Sequence, residues 1–315
     1  MSGKLKIFSG NANIPLAKEI CNFAGVELGR CDITKFSNEN IKVRIMDSVR
    51  GQDVFIIQPS CSPVNEGIIE LLIMIDAVKH ASAGRITAVV PYFPYARSDK
   101  KDEPRISITA RLMADLLQTA GADRVMTMNL HSPQIQGFFR IPVDHLLAGR
   151  LLCDYFQNCG TENCVVVAPD AGSAKRAGAY AIKLGLPLAI LDKRRSDDSE
   201  SPVIHHVIGE VKGKRALIFD DEIASGGSIL EVVKALESLG VEEIQACCVH
   251  AVLSGKAVER LRDSSLTKLV VTDTVFIPEH KKFPQLVVLS VAELFAKAIM
   301  FTNRGESISG LYDKF

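Results

Sequence analysis

Short apolar runs alternate with longer amphipathic stretches along the whole chain. Nine of these runs have the length of a strand, and they read KIFSG, DVFIIQ, ITAVVPY, RVMTMNL, CVVVAPD, LAILDKR, ALIFDD, QACCVHAV and KLVVTDT. Continuous apolar runs are typical of parallel strands that are covered on both faces. The pattern therefore predicts nine buried strands.

The stretches between these runs carry helical patterns. They extend from near Asn65 to about Ala83, from Ser107 to before Gly121, from after Gly172 to near Gly185, and from after Ser228 to Gly240. Ser107 is a suitable N-cap, and glycine commonly ends a helix. The alternation predicts an α/β fold built from right-handed βαβ units and open, mostly parallel sheets.

Nine strands are more than one compact mononucleotide-binding fold contains, so we predict two α/β domains of similar size. The boundary falls near residue 148, giving domains at 1–148 and 149–296, although no low-complexity linker marks it. A helical pattern, SVAELFAKAIMF, and the tail TNRGESISGLYDKF follow the last strand. We expect the tail, about residues 297–315, to join the N-terminal domain.

The composition argues against nucleic-acid-binding and membrane-surface functions. The 315 residues are 47% hydrophobic, and 37 Lys and Arg balance 37 Asp and Glu. This balance gives no support for a general nucleic-acid or membrane-surface role, so any phosphate binding must be local. The run IIELLIMIDAV is interrupted by Glu70 and Asp76 and is too short to span a bilayer. The N-terminus has no apolar targeting core, and we predict a cytoplasmic protein.

The eight cysteines form no C-x-x-C pair, and several lie inside apolar runs such as QACCVHAV. Buried, reduced cysteines of a cytosolic protein fit this usage. A zinc site is the disfavoured alternative, because the ligand spacing is missing.

The stretch IFDDEIASGGS, residues 218–228, places two acids at a strand end and a small-residue loop before a helix. Asp220 and Asp221 could accept hydrogen bonds from sugar hydroxyls or hold a cation. The loop residues Ser225, Gly226, Gly227 and Ser228 offer backbone N–H groups at a helix N-terminus, which is a natural phosphate cradle. The alternative is a tight βα turn with a solvated acid pair.

Two other strand-to-helix junctions carry candidate ligands. Asp170 in VVVAPDAGSAKRAGAYA is either a metal or hydroxyl contact or an N-cap for the next helix. His131 in MTMNLHSPQIQGFF could bind a metal or a phosphate oxygen, although a lone histidine there is more often structural.

Two segments are rich in cations. Residues 91–105, PYFPYARSDKKDEPR, could clamp a polyphosphate through Arg97, Lys100, Lys101 and Arg105, or could be a solvated loop. Lys193, Arg194 and Arg195 enter a polar segment, where they suit either closure over an anionic transition state or solubility. The chain lacks G-x-x-x-x-G-K-[ST], and no G-x-G-x-x-G follows its first strand, which disfavours Walker-type kinases and ordinary dinucleotide enzymes.

Taken in order, PYFPYARSDKKD, NLHSPQIQGFF, VVVAPDAGSAKRA and DKRR resemble the ribose-phosphate diphosphokinases, or phosphoribosyl pyrophosphate synthetases, over nearly the whole chain. The resemblance implies two domains similar to type I phosphoribosyltransferases. It also implies transfer of the diphosphoryl group of ATP to the C1 hydroxyl of ribose 5-phosphate, with Mg²⁺, giving phosphoribosyl pyrophosphate and AMP. Homo-oligomers, usually hexamers, are implied as well.

The same resemblance assigns roles to the candidate residues. Metal contacts fall on His131 and Asp170, and catalytic positions fall on Lys193, Arg195 and His131. The ribose 5-phosphate site corresponds to Asp220, Asp221 and the Ser225–Ser228 loop. ATP contacts correspond to Phe36, Asn38, Asn40, Arg97, Ser98, Asp99 and Lys100. A possible allosteric phosphate or ADP site corresponds to Ser48, Arg50, Arg105, Ser307 and Ser309.

Three positions depart from the family pattern. The loop commonly reads D-D-x-x-D-T-G-G-T, and here Ala224 replaces the third acid, which puts some ribose contacts in doubt. Asn38 and Asn40 stand where F-S-D-G-E is common, so nucleotide preference could differ, because an amide can also donate. Pro133 lacks an N–H, which weakens the allosteric assignment. Two alternatives remain open: a non-catalytic regulatory homologue and a phosphoribosyltransferase.

Overall fold

The computed structural model describes residues 3–194 and 203–311, with the backbone alone at 192–194 and 203–206. The chain divides into two compact units. The first contains the described chain up to Leu147, the short segment Asp273–Phe276 and the chain from Ser290 onward. The second contains Ala148–Thr272 and Ile277–Leu289.

The first unit is built on a five-stranded parallel sheet. Its elements are β1 (Leu5–Ser9), α1 (Ile14–Ala24), β2 (Cys31–Lys35), β3 (Ile41–Ile45), β4 (Asp53–Ile57), α2 (Val64–His80), β5 (Arg85–Val90), α3 (Thr109–Ala120), β6 (Arg124–Met128) and β7 (Val143–Leu146). The strand order is β1-β4-β5-β6-β7, and β2 and β3 form a separate antiparallel hairpin. Helix α2 buries Leu71, Met74, Ile75 and Val78, whose spacing of three and four residues defines its apolar face.

The second unit contains a seven-stranded sheet. Its elements are α4 (Gly149–Cys159), β8 (Cys164–Ala168), α5 (Ala174–Leu184), β9 (Leu188–Arg194), β10 (Val203–Ile208), β11 (Arg215–Ile223), α6 (Gly227–Ser238), β12 (Glu243–Ala251), α7 (Ala257–Arg262), β13 (Leu266–Thr272) and β14 (Leu286–Leu289). The order is β10-β9-β8-β11-β12-β13-β14, with β10 antiparallel at the edge and the other pairs parallel. The central strand β11 and its neighbour β8 are buried, as their apolar runs predict.

Helix α8 (Ala292–Arg304) belongs to the first unit, where it packs against α1. The chain rejoins the first unit at Ser290, earlier than the predicted start of the tail at about residue 297. Ser290 Oγ donates a hydrogen bond to Glu19 at 2.8 Å, and Val291 N donates to Asp273 Oδ1 at 2.8 Å. These contacts and the burial of Phe295 attach the whole of α8 to the first unit.

The predicted α/β class with mostly parallel sheets is confirmed, and all nine predicted strands are present. The pattern missed five further strands, β2, β3, β7, β10 and β14, and three helices, α1, α4 and α7. The hairpin strands β2 and β3 are half-exposed and polar, so they have no continuous apolar run.

The predicted N-cap of α3 is wrong. The helix begins at Thr109, and the position before it is Ile108, not Ser107. Ala110 N donates instead to Ser98 O at 3.1 Å, so a backbone carbonyl satisfies one donor of the first turn.

Candidate active site

The two carboxylates predicted to contact the sugar, Asp220 and Asp221, lie in the last four residues of β11. Pairing between β11 and β8 ends at Ile218, whereas pairing with β12 continues to Ile223. Asp220 and Asp221 therefore lie on the part of β11 that extends beyond β8, at the carboxyl end of a parallel sheet. Ligands of open α/β folds bind at this end.

Arg176 of α5 contacts both acids. Its Nη2 donates to Asp220 Oδ1 at 3.0 Å, and its Nη1 lies 3.3 Å from Asp221 Oδ1. The helix is held on β11 by the stacking of Tyr180 on Phe219, with ring centroids 4.1 Å apart and an interplanar angle of 18°. Because Tyr180 lies one turn after Arg176, this packing also sets where the guanidinium meets the strand.

The carboxyl group of Asp220 has a pKa raised to about 7. Burial is the main cause, the neighbouring Asp221 carboxylate adds to it, and Arg176 opposes it. Asp220 Oδ1 accepts from Arg176 and also from the N–H of Asp221 at 2.8 Å. One oxygen of this carboxylate is thus held by the protein from two directions.

The loop after β11 is open to solvent at its two serines. Ser225 and Ser228 are exposed, and Gly226 between them is buried with φ 77°, a left-handed conformation that glycine adopts without strain. Ala224 O accepts from Ser254 N at 2.9 Å, which attaches the start of the loop to the chain after β12. Helix α6 follows, so its first-turn N–H groups and macrodipole suit an anion at the loop.

Asp170 follows β8 and is exposed. Its Oδ1 accepts from Ser173 N at 2.7 Å, and Ser173 Oγ donates to the Asp170 carbonyl at 2.9 Å. The N-cap position of α5 is Ser173, so Asp170 closes the turn before the helix and is not its N-cap. The side chain remains at the surface, where it could contact a ligand.

In the first unit, His131 follows β6 and is exposed. The residue before it is fixed by a histidine that sequence reasoning missed, because Leu130 N donates to His145 Nε2 at 2.9 Å. His145 is buried in β7, which lowers its pKa to about 4. Gln136 Nε2, which donates to Pro133 O at 2.9 Å, lies 3.3 Å from His145 Nδ1. His145 thus holds the backbone of the residue that precedes His131.

The segment predicted to hold ATP phosphates is a compact turn. Ser98 N donates to Tyr95 O at 2.9 Å, and Tyr95 Oη donates to Asn65 Oδ1 at 2.5 Å. Arg97 and Lys100 are exposed, and Ser98 and Asp99 are partly buried. This segment therefore presents two cations to solvent on a hydrogen-bonded backbone.

The predicted adenine contacts lie on the β2–β3 hairpin. Phe36 N donates to Asn40 O and Glu39 N donates to Phe36 O, both at 2.9 Å, and Asn40 N donates to Asn38 Oδ1 at 3.2 Å. Phe36 is 52% exposed, so its ring is accessible to a ligand. The hairpin tip brings Phe36, Asn38 and Asn40 together.

The residues of the predicted allosteric site all belong to the first unit and are exposed: Ser48, Arg50, Arg105, Ser307 and Ser309. The hydroxyl groups of Ser307 and Ser309 form a hydrogen bond with each other. Arg50 forms an isolated backbone bridge with Ala83. The allosteric assignment stays a prediction.

The structure describes only part of the predicted catalytic-loop cations. Lys193 belongs to β9 by its backbone, and its side chain and the whole of Arg195 lie outside the described residues. In the part of the chain that the structure describes, no group of three or more His, Cys, Asp or Glu side chains is suited to a metal ion. No described helix is both long and apolar enough to cross a membrane.

The cysteines are paired in no disulfide, and most are buried. The prediction of buried thiols is wrong for Cys159, which is exposed at the end of α4, and Cys31 is only partly buried. Both lie at the ends or edges of elements, where the surrounding core is incomplete.

Arg176 was the other missed residue. It lies six positions after Asp170, within the segment VVVAPDAGSAKRA. A cation in the first turn of a helix that follows an acid at a strand end could have indicated it. Its pairing with Asp220 depends on β8 and β11 being neighbours, which sequence spacing does not show.

Comparison with known proteins covers both units. Residues 5–121 match the N-terminal domain of ribose phosphate pyrophosphokinase, and residues 143–283 match the phosphoribosyl transferase domain. A ribose-phosphate pyrophosphokinase of Clostridium acetobutylicum is 52% identical over 98% of this chain and 98% of its own length. One from Caldanaerobacter subterraneus is 50% identical over 99% and 98%, respectively.

A solved structure from the same family also matches this chain. The phosphoribosylpyrophosphate synthetase of Mycobacterium smegmatis superposes with a TM-score of 0.91 at 42% identity, and the match covers 96% of this chain and 99% of that one. The sequence motifs, the α/β architecture and these full-length matches agree, and the chain belongs to the ribose-phosphate pyrophosphokinase family.

Proposed function

We propose that this protein transfers the diphosphoryl group of ATP to the C1 hydroxyl of ribose 5-phosphate. The C1 oxygen attacks the β-phosphorus of ATP and releases its proton to solvent. The bond from that phosphorus to the oxygen that bridges it to the α-phosphate breaks, and AMP leaves with that oxygen. The products are phosphoribosyl pyrophosphate and AMP. The observation that carries the proposal is the acid pair Asp220 and Asp221, followed at the start of α6 by the Ser225–Ser228 loop, which is exposed at its two serines.

This arrangement suits a phosphorylated sugar. The carboxylates of Asp220 and Asp221 accept hydrogen bonds from ribose hydroxyls, and the loop N–H groups with the α6 dipole receive the 5-phosphate. The buried Gly226 turns the backbone, so that Ser225 and Ser228 face solvent on either side of it. The alternative, a plain βα turn with solvated acids, fits poorly, because Asp221 is buried.

ATP is assigned to residues of the first unit. Arg97 and Lys100 carry positive charge toward the phosphates, with Ser98 and Asp99 between them. Phe36 provides an exposed ring for stacking on adenine, and Asn38 and Asn40 lie beside it on the hairpin tip. Amides at these two positions can donate as well as accept hydrogen bonds. We therefore expect this protein to use a broader range of nucleotides than a relative with acids at these positions.

The donor set fits Mg²⁺. This ion binds through one or two carboxylates and keeps phosphate and water ligands, which suits the exposed Asp170 of the second unit. The resemblance also assigns His131 of the first unit to the metal. When bound, Mg²⁺ would neutralise charge on the transferred phosphoryl oxygens. The protein's own contribution is to hold both substrates, with Lys193 and Arg195 as the cations that oppose the charge developing on the α-phosphate.

The assay is direct. Purified protein is incubated with ATP, Mg²⁺ and ribose 5-phosphate beside an enzyme of known activity, and AMP and phosphoribosyl pyrophosphate are measured. Equal amounts of both products support the proposal. If the protein by itself makes no product but stimulates an active family member, it is a regulatory homologue. Turnover that needs a nucleobase and no ATP would identify a phosphoribosyltransferase.

The family's usual assembly and location remain part of the same proposal. We propose a homo-oligomer, a hexamer by resemblance, that works in the cytoplasm. Light scattering measures the first, and repeating the assay with phosphate and with ADP tests the site assigned to Ser48, Arg50, Arg105, Ser307 and Ser309. Several nucleoside triphosphates in the same assay give the nucleotide preference.

A further inference from the structure

Two acids side by side at the end of β11 repel each other, and Asp221 is buried. Such a pair keeps one geometry only if a cation and hydrogen-bond donors compensate it. Arg176 supplies the cation: its two terminal nitrogens reach different carboxylates, Asp220 at 3.0 Å and Asp221 at 3.3 Å. A guanidinium suits this bridge, because its donors lie in one rigid plane.

The acids, in turn, set the orientation of the guanidinium. Both of its terminal nitrogens lie against carboxylate oxygens, and these two contacts fix the plane of the guanidinium although the side chain is 35% exposed.

The strand geometry makes this contact necessary. Asp220 lies two residues past the last β8 pairing on β11, so β8 does not pair with that part of the strand. Arg176 enters there from α5, the helix that follows β8 and stacks on β11 through Tyr180. The fold thus carries the guanidinium to the one side of β11 where the sheet has ended.

We propose that Arg176 is a positioning residue for ribose 5-phosphate: it holds the Asp220 and Asp221 carboxylates in the orientation that receives the sugar hydroxyls. It acts through the acids and not by touching the substrate. This proposal rests on the proposed function, because it assigns Arg176 to the same sugar site.

The first test is steady-state kinetics of Arg176→Gln and Arg176→Lys. The KM for ribose 5-phosphate should rise about tenfold in Arg176→Gln, and the KM for ATP should stay within about twofold. Arg176→Lys should recover part of the loss, because an ammonium can neutralise but not bridge the pair. Equal changes in both KM values, or no change, would overturn the proposal.

A matched control lies at the other end of the same strand. Arg215 begins β11 and pairs with Glu243 at 2.7 Å, so Arg215→Gln also removes one arginine–carboxylate pair from β11. It should leave both KM values unchanged. Melting temperatures of the variants show whether each remains folded. If Arg176→Gln does not fold, the KM values of Arg176→Lys are compared with those of the parent instead.

The second test asks whether Arg176 acts through the acids. In a cycle with Asp220→Asn, the double variant should bind ribose 5-phosphate no more weakly than the worse single variant, because both changes disrupt one unit. Additive losses would mean a direct contact with substrate and would overturn the positioning role.

The two proposals fail separately. If the parent protein makes no phosphoribosyl pyrophosphate, the proposed function fails, and calorimetric binding of ribose 5-phosphate then tests Arg176 alone. If the parent is active and Arg176→Gln binds ribose 5-phosphate normally, only the positioning role fails.

Discussion

His145 Nε2 accepts a hydrogen bond from the backbone N–H of Leu130 at 2.9 Å. An acceptor nitrogen carries no proton, so this contact requires an unprotonated Nε2, and burial keeps the imidazole neutral by lowering its pKa to about 4. The bonded residue directly precedes His131. The protonation state of one buried histidine is thereby linked to the backbone of a predicted ligand loop.

The first prediction concerns stability against pH. The folded pKa of His145 is about 4, below the unfolded value of 6.5, so the unfolded chain takes up the proton first as pH falls. The stabilisation from neutral His145 is complete above pH 6.5, declines between 6.5 and 4, and amounts to roughly 3 kcal/mol. Denaturant unfolding at several pH values measures it.

His145→Gln should flatten this part of the pH dependence, since glutamine does not titrate. His80→Gln is the matched control, because His80 is exposed at the end of α2. An unchanged pH slope in His145→Gln would contradict the prediction.

The second prediction concerns sugar binding against pH. The Asp220 pKa is raised to about 7, so a falling pH protonates this carboxyl through the neutral range and removes an ionised acceptor. The KM for ribose 5-phosphate should therefore rise below pH 7. The phosphate group of the substrate also titrates in this range, because the second pKa of a phosphate monoester is about 6. Asp220→Asn separates the two, and a pH profile of the same steepness in that variant would refute the role of Asp220.

The third prediction uses adjacent glycines. Gly226 has φ 77°, so Gly226→Ala places a side chain in a left-handed conformation and should cost about 1–2 kcal/mol of folding stability, with a higher KM for ribose 5-phosphate. Gly227→Ala is the control, because an added Cβ there meets only Ser225 Oγ at 3.7 Å. Thermal unfolding compares the two, and equal losses would show that backbone strain is not the cause.

The fourth prediction addresses the missing acid. Ala224→Asp restores a carboxylate where the family commonly has one, and we expect the KM for ribose 5-phosphate to fall about three- to tenfold through an added charge-assisted hydrogen bond. Ala224→Asn has nearly the same shape without the charge and should gain less. If neither variant changes the KM, the remaining loop contacts already suffice.

The fifth prediction concerns Lys193. Lys193→Ala should lower kcat about 100-fold or more and change the KM for ATP by less than about threefold, because a cation that acts on developing charge contributes mainly in the transition state. The exposed Lys212, in the loop before β11, provides the control Lys212→Ala. Rapid-quench and steady-state rates measure both, and equal kcat in Lys193→Ala and parent would exclude the role.

Local pattern was sufficient for the central parts of the molecule. Apolar runs identified β1, β4, β5, β6, β8, β9, β11, β12 and β13, because strands covered on both faces must be apolar throughout. The same reading placed the acid pair and the glycine loop at a strand-to-helix junction, because each depends on residues adjacent in the chain. The hairpin strands β2 and β3 could not be recognised in this way, since their exposed residues interrupt the apolar run.

Contacts between distant residues were decided by the folded chain. Arg176 meets Asp220 across 44 positions, because β8 and β11 are neighbours in the sheet although β9 and β10 separate them in sequence. His145 reaches Leu130 in the same way, through the pairing of β6 with β7. Residue type and order therefore determine which chemistry is available at each strand end, and strand order determines which side chains hold it in place, because neighbours in a sheet need not be neighbours in the chain.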